Sequence, residues 1–337
     1  MPGVTDELED FEAIDVDWSG ILIGNGTSLA ISNCFEYRSL FEQAKTTDTP
    51  INQSDISIFE HLKTKNFEQV LSALNQAKAI NRVFDLEHDE IIQAYSRIQN
   101  ALAEAVHGVH VKWDSLDEKN LSSIREGLLD YDFVYSTNYD LLLYWAINQN
   151  SSGFKDFFWG NNFDLGNTEI WGKATKVLFL HGGLHLYKTS RGTLKRKARP
   201  FENLLDLFGT PVDDDENAVP LFVTEGASSD KLKSIYNNDY LSFAYNRFAN
   251  HHGPIIILGQ SLDENFDKHL LDALRASTNR YIGIGIHRGS KDSTELVHEK
   301  TKFLTKFVGF DVRFFDASTH PLGNPSLSID QPTMVNL

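Results

Sequence analysis

The sequence predicts an α/β fold: a doubly wound, mostly parallel sheet with an all-helical insertion after its first βα unit. Three observations carry that expectation. Short apolar runs alternate with stretches of helical periodicity, the pattern of strands joined by crossover helices. Several runs end in glycine or polar residues: Gly20-Ile-Leu-Ile23 in Gly24-Asn-Gly-Thr-Ser28, Asp132-Phe-Val-Tyr-Ser-Thr137 in Asn138-Tyr-Asp140, and Lys176-Val-Leu-Phe-Leu180 in His181-Gly-Gly183. Between the first two runs, residues 54–127 show only helical spacing. In an open parallel sheet, ligands bind outside the carboxyl ends of the strands. The three ends are therefore expected to share one crevice. They offer it backbone N–H groups, a neutral amide and an imidazole that titrates near neutrality.

The first strand falls at about residues 21–24, and a helical pattern runs from Ser28 to Ala44, with Thr27 or Ser28 placed to cap it. Phe59, Leu62, Phe67, Val70, Leu71 and Leu74 recur at helical spacing, and Ile91, Ile92, Tyr95, Ile98, Ala101, Leu102, Ala105 and Val106 continue it. These helices make up an insertion over residues 40–125. Strand 132–137 precedes a helix over 140–148, which Asp140 is placed to cap. Strand 176–181 leads into the basic stretch Lys188 to Arg199, expected as a solvated hairpin or loop. Contact with a phosphate or an acidic partner is the sharper alternative for that stretch. Pro220-Leu-Phe-Val-Thr224 reads as the next strand, before one long helix from Ser229 to Asn250. Pro254-Ile-Ile-Ile-Leu258 ends in Gly259-Gln-Ser-Leu262, and Asp263 or Asn265 is placed to cap a helix reaching about Ala276. Tyr281 to Ile286, a helix near 294–308 and Asp311-Val-Arg-Phe-Phe315 complete the sheet. Asp213-Asp-Asp-Glu-Asn217 reads as an exposed loop and residues 321–337 as a C-terminal tail.

At 337 residues the chain has room for one large α/β domain or two average ones. Its 31 Lys and Arg against 47 Asp and Glu give a formal charge of −16. That balance opposes nucleic-acid binding, which needs phosphates neutralised by basic side chains. Cys34 is the only cysteine, so neither an intrachain disulfide nor a four-cysteine zinc site is available. The acidic N-terminus lacks the basic and apolar regions of a signal peptide. No apolar run reaches the roughly 18 residues of a membrane span. A cytoplasmic protein without a membrane or nucleic-acid partner is expected.

Singly, each motif has a plain structural reading. Gly24 to Ser28 can be a tight turn, because residue 29 is leucine and the spacing is not that of the dinucleotide-binding fingerprint. Asn138 can satisfy a turn and Asp140 can cap a helix. A histidine after a strand is often a hydrogen-bonded core residue, and His185 competes locally with His181.

Together the motifs say more. Gly24-Asn-Gly-Thr-Ser28, Thr137-Asn-Tyr-Asp140, His181-Gly182 and Gly259-Gln-Ser-Leu262 resemble the sirtuin signature in the same order. Sirtuins carry Gly-Ala-Gly-x-Ser, Gln-Asn-x-Asp, His-Gly and Gly-Thr-Ser-Leu at comparable points. Tyr37-Arg38-Ser39 is similar to the sirtuin Phe-Arg-Ser, and Pro220 to Glu225 to a further sirtuin strand that has a glycine before its Glu. The resemblance covers residues 20–35 and 130–290, within a domain of residues 17–320. One cysteine cannot build the sirtuin zinc module, and the helical insertion is expected over the cleft in its place. In this respect the chain resembles the bacterial sirtuin-like NAD hydrolases of antiphage defence.

The resemblance implies a Rossmann-like domain with NAD as substrate and no metal. It places the pyrophosphate on Gly24, Asn25, Gly26, Thr27 and Ser28, and Arg38 over a phosphate or the nicotinamide ribose. Gly259 and Ser261 fall to the adenosine half, and His287 to adenine or its ribose. Asn138 then holds the reacting ribose, His181 is the base, and Asp140 orients the turn or ribose. The implied reaction yields nicotinamide and ADP-ribose rather than deacylation. A homo-oligomer or a regulatory protein partner is expected to gate it. A non-catalytic NAD or ADP-ribose sensor, and a protein ADP-ribosyltransferase, are the alternatives.

Overall fold

The computed structural model describes residues 4–170, 172–197, 203–208, 212 and 218–329. β1 (Gly20–Ile23) leads into α1 (Asn25–Ile31) and α2 (Tyr37–Ala44). The insertion continues through α3 (Gln53–His61), α4 (Phe67–Val83), α5 (Asp89–Gly108) and α6 (Glu118–Leu128). Next come β2 (Phe133–Ser136), α7 (Leu142–Gln149), the short strands β3 (Phe154–Lys155), β4 (Phe158–Trp159) and β5 (Asn162–Phe163), and then β6 (Thr175–Phe179). β7 (Gly182–Thr189) and β8 (Gly192–Lys195) form a hairpin, and β9 (Val219–Phe222) precedes α8 (Ser228–Tyr236) and α9 (Asp239–Ala249). β10 (Ile255–Leu258), α10 (Lys268–Ala276), β11 (Tyr281–Ile286), α11 (Ser293–Lys306) and β12 (Asp311–Asp316) follow.

Seven strands pair in parallel in the order β12-β11-β10-β1-β2-β6-β3. From β1 the chain winds outward through β2 and β6, then returns to β10 and winds the other way. This is the doubly wound, Rossmann-like arrangement, with its reversal between β1 and β10. Both of those strands are buried along their whole length, as strands covered by helices on both faces must be. One apolar cluster runs from the sheet into the insertion. There α3 is tied to α5 by a two-pronged ion pair from Arg97 to the fully buried Asp55, at 2.9 and 3.0 Å.

A second sheet, antiparallel in the order β4-β5-β8-β7-β9, departs from the expectation. The strand at 220–224 does not extend the parallel sheet; β9 lies against β7, with Leu221 opposite Gly183. The cause is Gly182, which turns the chain back with φ +81° and sits so close to Leu221 that a Cβ would fall 1.9 Å from its carbonyl oxygen. Only glycine permits both. The helix expected over 229–250 breaks at Asn238, whose side chain caps α9 through Leu241 N–H at 2.9 Å. Asp263 closes a turn on Asn265 N–H at 2.8 Å and caps no helix, since α10 begins at Lys268. Gly24, rather than Thr27 or Ser28, stands at the N-cap of α1. Residues 321–329 are packed rather than a free tail: Leu322 and Leu327 are buried, and Ile329 N–H reaches Ile31 O at 2.9 Å. The loop at 213–217, Arg199 and residues 330–337 lie outside the described residues. No helix among the described residues is long and apolar enough to cross a membrane.

At the reversal between β1 and β10, three glycines let two backbones touch. A Cβ on Gly24 would lie 2.5 Å from Gly259 O, and one on Gly26 would lie 2.6 Å from Gly259 Cα. One on Gly259, where φ is +70°, would lie 2.5 Å from Thr27 N. Gly259→Ala is expected to cost about 2–4 kcal/mol, the left-handed penalty plus overpacking. A urea melt indistinguishable from wild type would show that this contact yields.

His320 accepts Leu322 N–H on Nδ1 at 3.1 Å, which leaves Nε2 to donate to the Tyr131 hydroxyl at 2.8 Å. Burial pushes its pKa down to about 3. The unfolded chain binds this proton below about pH 6.5, and the folded chain does not until about 3. The associated stability is therefore present above the unfolded pKa and lost as pH falls through that window. His320→Gln should flatten the pH dependence of the unfolding free energy by about 1.4 kcal/mol per pH unit between about pH 4 and 6. Urea titrations across that range measure the slope, and an unaltered slope would refute the assignment.

Candidate functional site

A cavity of about 250 Å³ opens at the carboxyl ends of the central strands. Asn25 follows β1; Thr137, Asn138, Tyr139 and Asp140 follow β2; His181 follows β6; Gln260 and Ser261 follow β10. The insertion forms the opposite wall, with Phe67, Glu68 and Gln69 from α4 and Leu102 and Val106 from α5. Asp263, Phe266 and Asp267, in the turns before α10, complete an acidic rim. The strand ends thus meet in one crevice.

Asn138 is held by its nitrogen. Its Nδ2 donates to Ser28 Oγ at 2.9 Å, to Gly24 O at 3.2 Å and to Thr27 Oγ1 at 3.3 Å. Each of those oxygens has only lone pairs to offer, because Ser28 gives its proton to Asp140 at 2.6 Å and Thr27 gives its own to Gly24 O at 2.9 Å. The amide orientation follows from this network. Asn138 Oδ1 is left buried and without a hydrogen-bond partner. Asp140 also accepts Leu142 N–H at 2.9 Å. It therefore fixes Ser28 and the start of α7, and through Ser28 the Asn138 amide.

His181 is buried, and its Nε2 lies 3.0 Å from Nε2 of His269 on α10. His269 Nδ1 is in turn 2.9 Å from Ser228 Oγ. The imidazole expected to titrate near neutrality does not. Burial, then the nearby Lys231 ammonium and His269, press the His181 pKa well below its usual value. His269 is likewise lowered, to about 3, by burial and Lys231. Both rings are neutral across the physiological range. His185, the local competitor, is fully buried beside Phe179 and Tyr144 and does not line the cavity.

Lys231 is the one cation buried at the back of this site among the described residues. Its Nζ pairs with Glu68 at 2.6 Å and Asp267 at 3.4 Å, both of which line the cavity. Burial works to lower its pKa, and the two carboxylates more than offset that, so it stays charged.

Other expected residues fall elsewhere. The phosphate cradle at Gly24–Ser28 is closed: Gly26 N–H donates to Gly259 O at 2.8 Å, and Thr27 N–H to Gly24 O at 3.0 Å. Gly24, Gly26 and Gly259 serve the backbone contact between β1 and β10 rather than the cavity wall. Arg38 and His287 are exposed and do not line the cavity, while Ser261 and Asn25 do. Sequence reasoning missed Glu68, Lys231, His269 and Ser228. The pattern marked Phe67 as helical core, and that gave Glu68 a place beside it. Nothing in a single sequence joins Glu68 to a lysine on α8. Among the described residues no group of His, Cys, Asp and Glu is arranged to hold a metal ion.

Residues 21–322 match the family described as Domain of unknown function, DUF4917. A search of the curated proteins finds no match to the chain. The family match takes in both sheets, the helical insertion and every residue of the cavity, and the chain therefore belongs to the DUF4917 family.

Proposed function

We propose that this chain hydrolyses NAD⁺ at the nicotinamide–ribose bond, releasing nicotinamide and ADP-ribose. The observation that carries the reading is Asn138 Oδ1, a buried acceptor with no partner at the strand end where the sirtuin-like motif holds the reacting ribose. Unpaired buried acceptors are costly, and a ribose hydroxyl supplies the missing donor once the side chains that seal this oxygen from solvent shift. Charge supports the same reading. Glu68, Asp140, Asp263 and Asp267 line the cavity, and no Lys or Arg does among the described residues. The C1′–N bond breaks with its electron pair leaving on nicotinamide, so positive charge passes from the ring to the ribose. Burial pushes the Glu68 and Asp267 carboxyls up while Lys231 draws them down, and the carboxylates that stay ionised favour a cation in both places. Water then adds to C1′ and gives up a proton.

The cavity is smaller than the roughly 300–1,000 Å³ of typical ligand pockets, which suits the nicotinamide riboside half of the molecule. The diphosphate is assigned outside the acidic rim, toward Ser261, where Lys306 Nζ donates to the Ser261 carbonyl at 2.8 Å. Asn138 supplies one polar contact to the ribose and His181 the second. No metal enters the proposed reaction.

Unchecked NAD⁺ cleavage harms the cell that makes the enzyme, so access is proposed to be gated by self-assembly or by a protein partner, in the antiphage setting that the resemblance implies. The insertion is the lever, because α4 and α5 form one wall of the cavity.

Incubation with NAD⁺ should release nicotinamide and free ADP-ribose; label appearing on protein instead would point to transfer. Asn138→Ala and His181→Ala are each expected to lower turnover about 10²–10³-fold, the loss typical of deleting one pre-positioned hydrogen-bonding group. Near-wild-type turnover in both variants would remove this reading. Chelator treatment should leave the rate unchanged, and acetyl-lysine peptides should not be deacylated. Gating predicts that turnover changes with assembly state when rate and mass are measured together. Full activity from a dilute monomer, unaltered by any partner, would exclude it.

A further inference from the structure

We infer that Ser228 and His269 are positioning residues that fix the proton of His181 on Nδ1, so that His181 meets a ligand as a hydrogen-bond donor rather than as a base. The inference rests on the cavity being the reactive site proposed above, and it replaces the base role expected for His181.

The argument begins at Ser228. Its oxygen accepts His269 N–H at 2.7 Å, and its only other hydrogen-bond partner among the described residues is His269 Nδ1 at 2.9 Å. Ser228 is buried, so its hydroxyl proton has one place to go: the lone pair on His269 Nδ1. A neutral imidazole that accepts on Nδ1 carries its proton on Nε2. His269 Nε2–H therefore points at His181 Nε2, 3.0 Å away, which must accept. His181 then carries its proton on Nδ1. That nitrogen has no hydrogen-bond partner among the described residues and is not among the polar atoms sealed from solvent, while the ring lines the cavity.

The reverse arrangement is the alternative. With His181 Nε2–H donating to His269 and His269 Nδ1–H donating to Ser228, the Ser228 proton has no acceptor among the described residues. Losing one buried hydrogen bond shifts the balance by about tenfold or more. Protonating either ring is opposed by burial and by the Lys231 ammonium nearby.

The cavity thus presents a donor, His181 Nδ1–H, whereas Asn138 Oδ1 is sealed from solvent in this conformation. A ligand must bring an oxygen lone pair to the first, and its hydroxyl proton reaches the second only when the side chains around that amide shift. When water adds to C1′, its proton passes to a cavity carboxylate or to solvent, and the His181 lone pair stays engaged with His269.

The test is the tautomer itself. The full chain is labelled with ¹⁵N-histidine, and long-range ¹⁵N–¹H correlation spectra assign His181 by its loss in His181→Gln. Wild type should show neutral His181 with its proton on Nδ1. Ser228→Ala removes the fixing donor and should move about half or more of the His181 population toward the Nε2–H form, whereas Ser228→Thr restores the wild-type pattern. His269→Gln keeps an N–H facing His181 and should keep the Nδ1–H form, and His269→Leu should not. Unchanged His320 signals show that each variant is folded, and the His269 pair decides the question if Ser228→Ala does not fold. A wild-type proton on Nε2, or variants that leave the tautomer untouched, would overturn the inference. The spectra need no NAD⁺. Failure to cleave NAD⁺ with the tautomer pattern intact would therefore count against the proposed function and not against this one.

Discussion

The Lys231 ammonium is the point on which the site depends. A buried cation must be paired, and its two counter-charges come from separate elements: Glu68 from the inserted α4, and Asp267 from the turn before α10. Breaking such a pair leaves an uncompensated buried charge, which is far costlier than never having built it. The ammonium therefore fixes how the insertion meets the sheet. It also adds to the burial that keeps His181 and His269 from accepting protons. One charge thus bears on both the wall of the cavity and, after burial, the protonation of its imidazoles.

Backbone contact reinforces that clamp. Gly226 lies so close to α4 that a Cβ there would meet Ser72 N at 2.1 Å and Glu68 O at 2.2 Å. Around it, Gln99 Nε2 donates to Thr224 Oγ1 at 2.7 Å and Asn75 Nδ2 to Asp230 Oδ2 at 3.0 Å. Hydrogen bonds and one ion cluster thus dock α4 and α5 onto α8 and the segment that precedes it. The inserted helices act as a wall of the site and not as an appended domain.

The parallel sheet was legible because its strands are apolar along their length and end in residues that cannot continue a strand. Asn138, Asp140 and His181 stood out for the same reason, since polar groups directly after buried strands are few. The antiparallel sheet was not legible. Its strands β4 and β5 are two residues each, too short for period-two alternation to register, and β9 looks like any buried strand until Gly182 is seen to turn β7 toward it. The glycines carried two readings, a tight turn from their position after a strand and a ligand cradle from the resemblance, and the close passage of β1 and β10 matches the first. Lys231, His269 and Ser228 were hidden because they sit on helices whose pattern records only the buried face. Their meaning comes from partners between 36 and 163 residues away.

The order of winding also governs when the cavity comes into being. β1 pairs with β10, Gly20 opposite Ile255, so the centre of the sheet stays open while the intervening chain is made. At roughly 5–20 residues per second, synthesis takes about 10–50 s to bring the second strand to the first. Until then Gly24 and Gly26 have no Gly259 to meet, the Lys231 ammonium lacks Asp267, and Asn138 faces no finished wall. A nascent chain interrupted late in that interval holds the strand ends without the crevice between them, and the cavity is complete only once Asp267, the last of its lining residues, has been added.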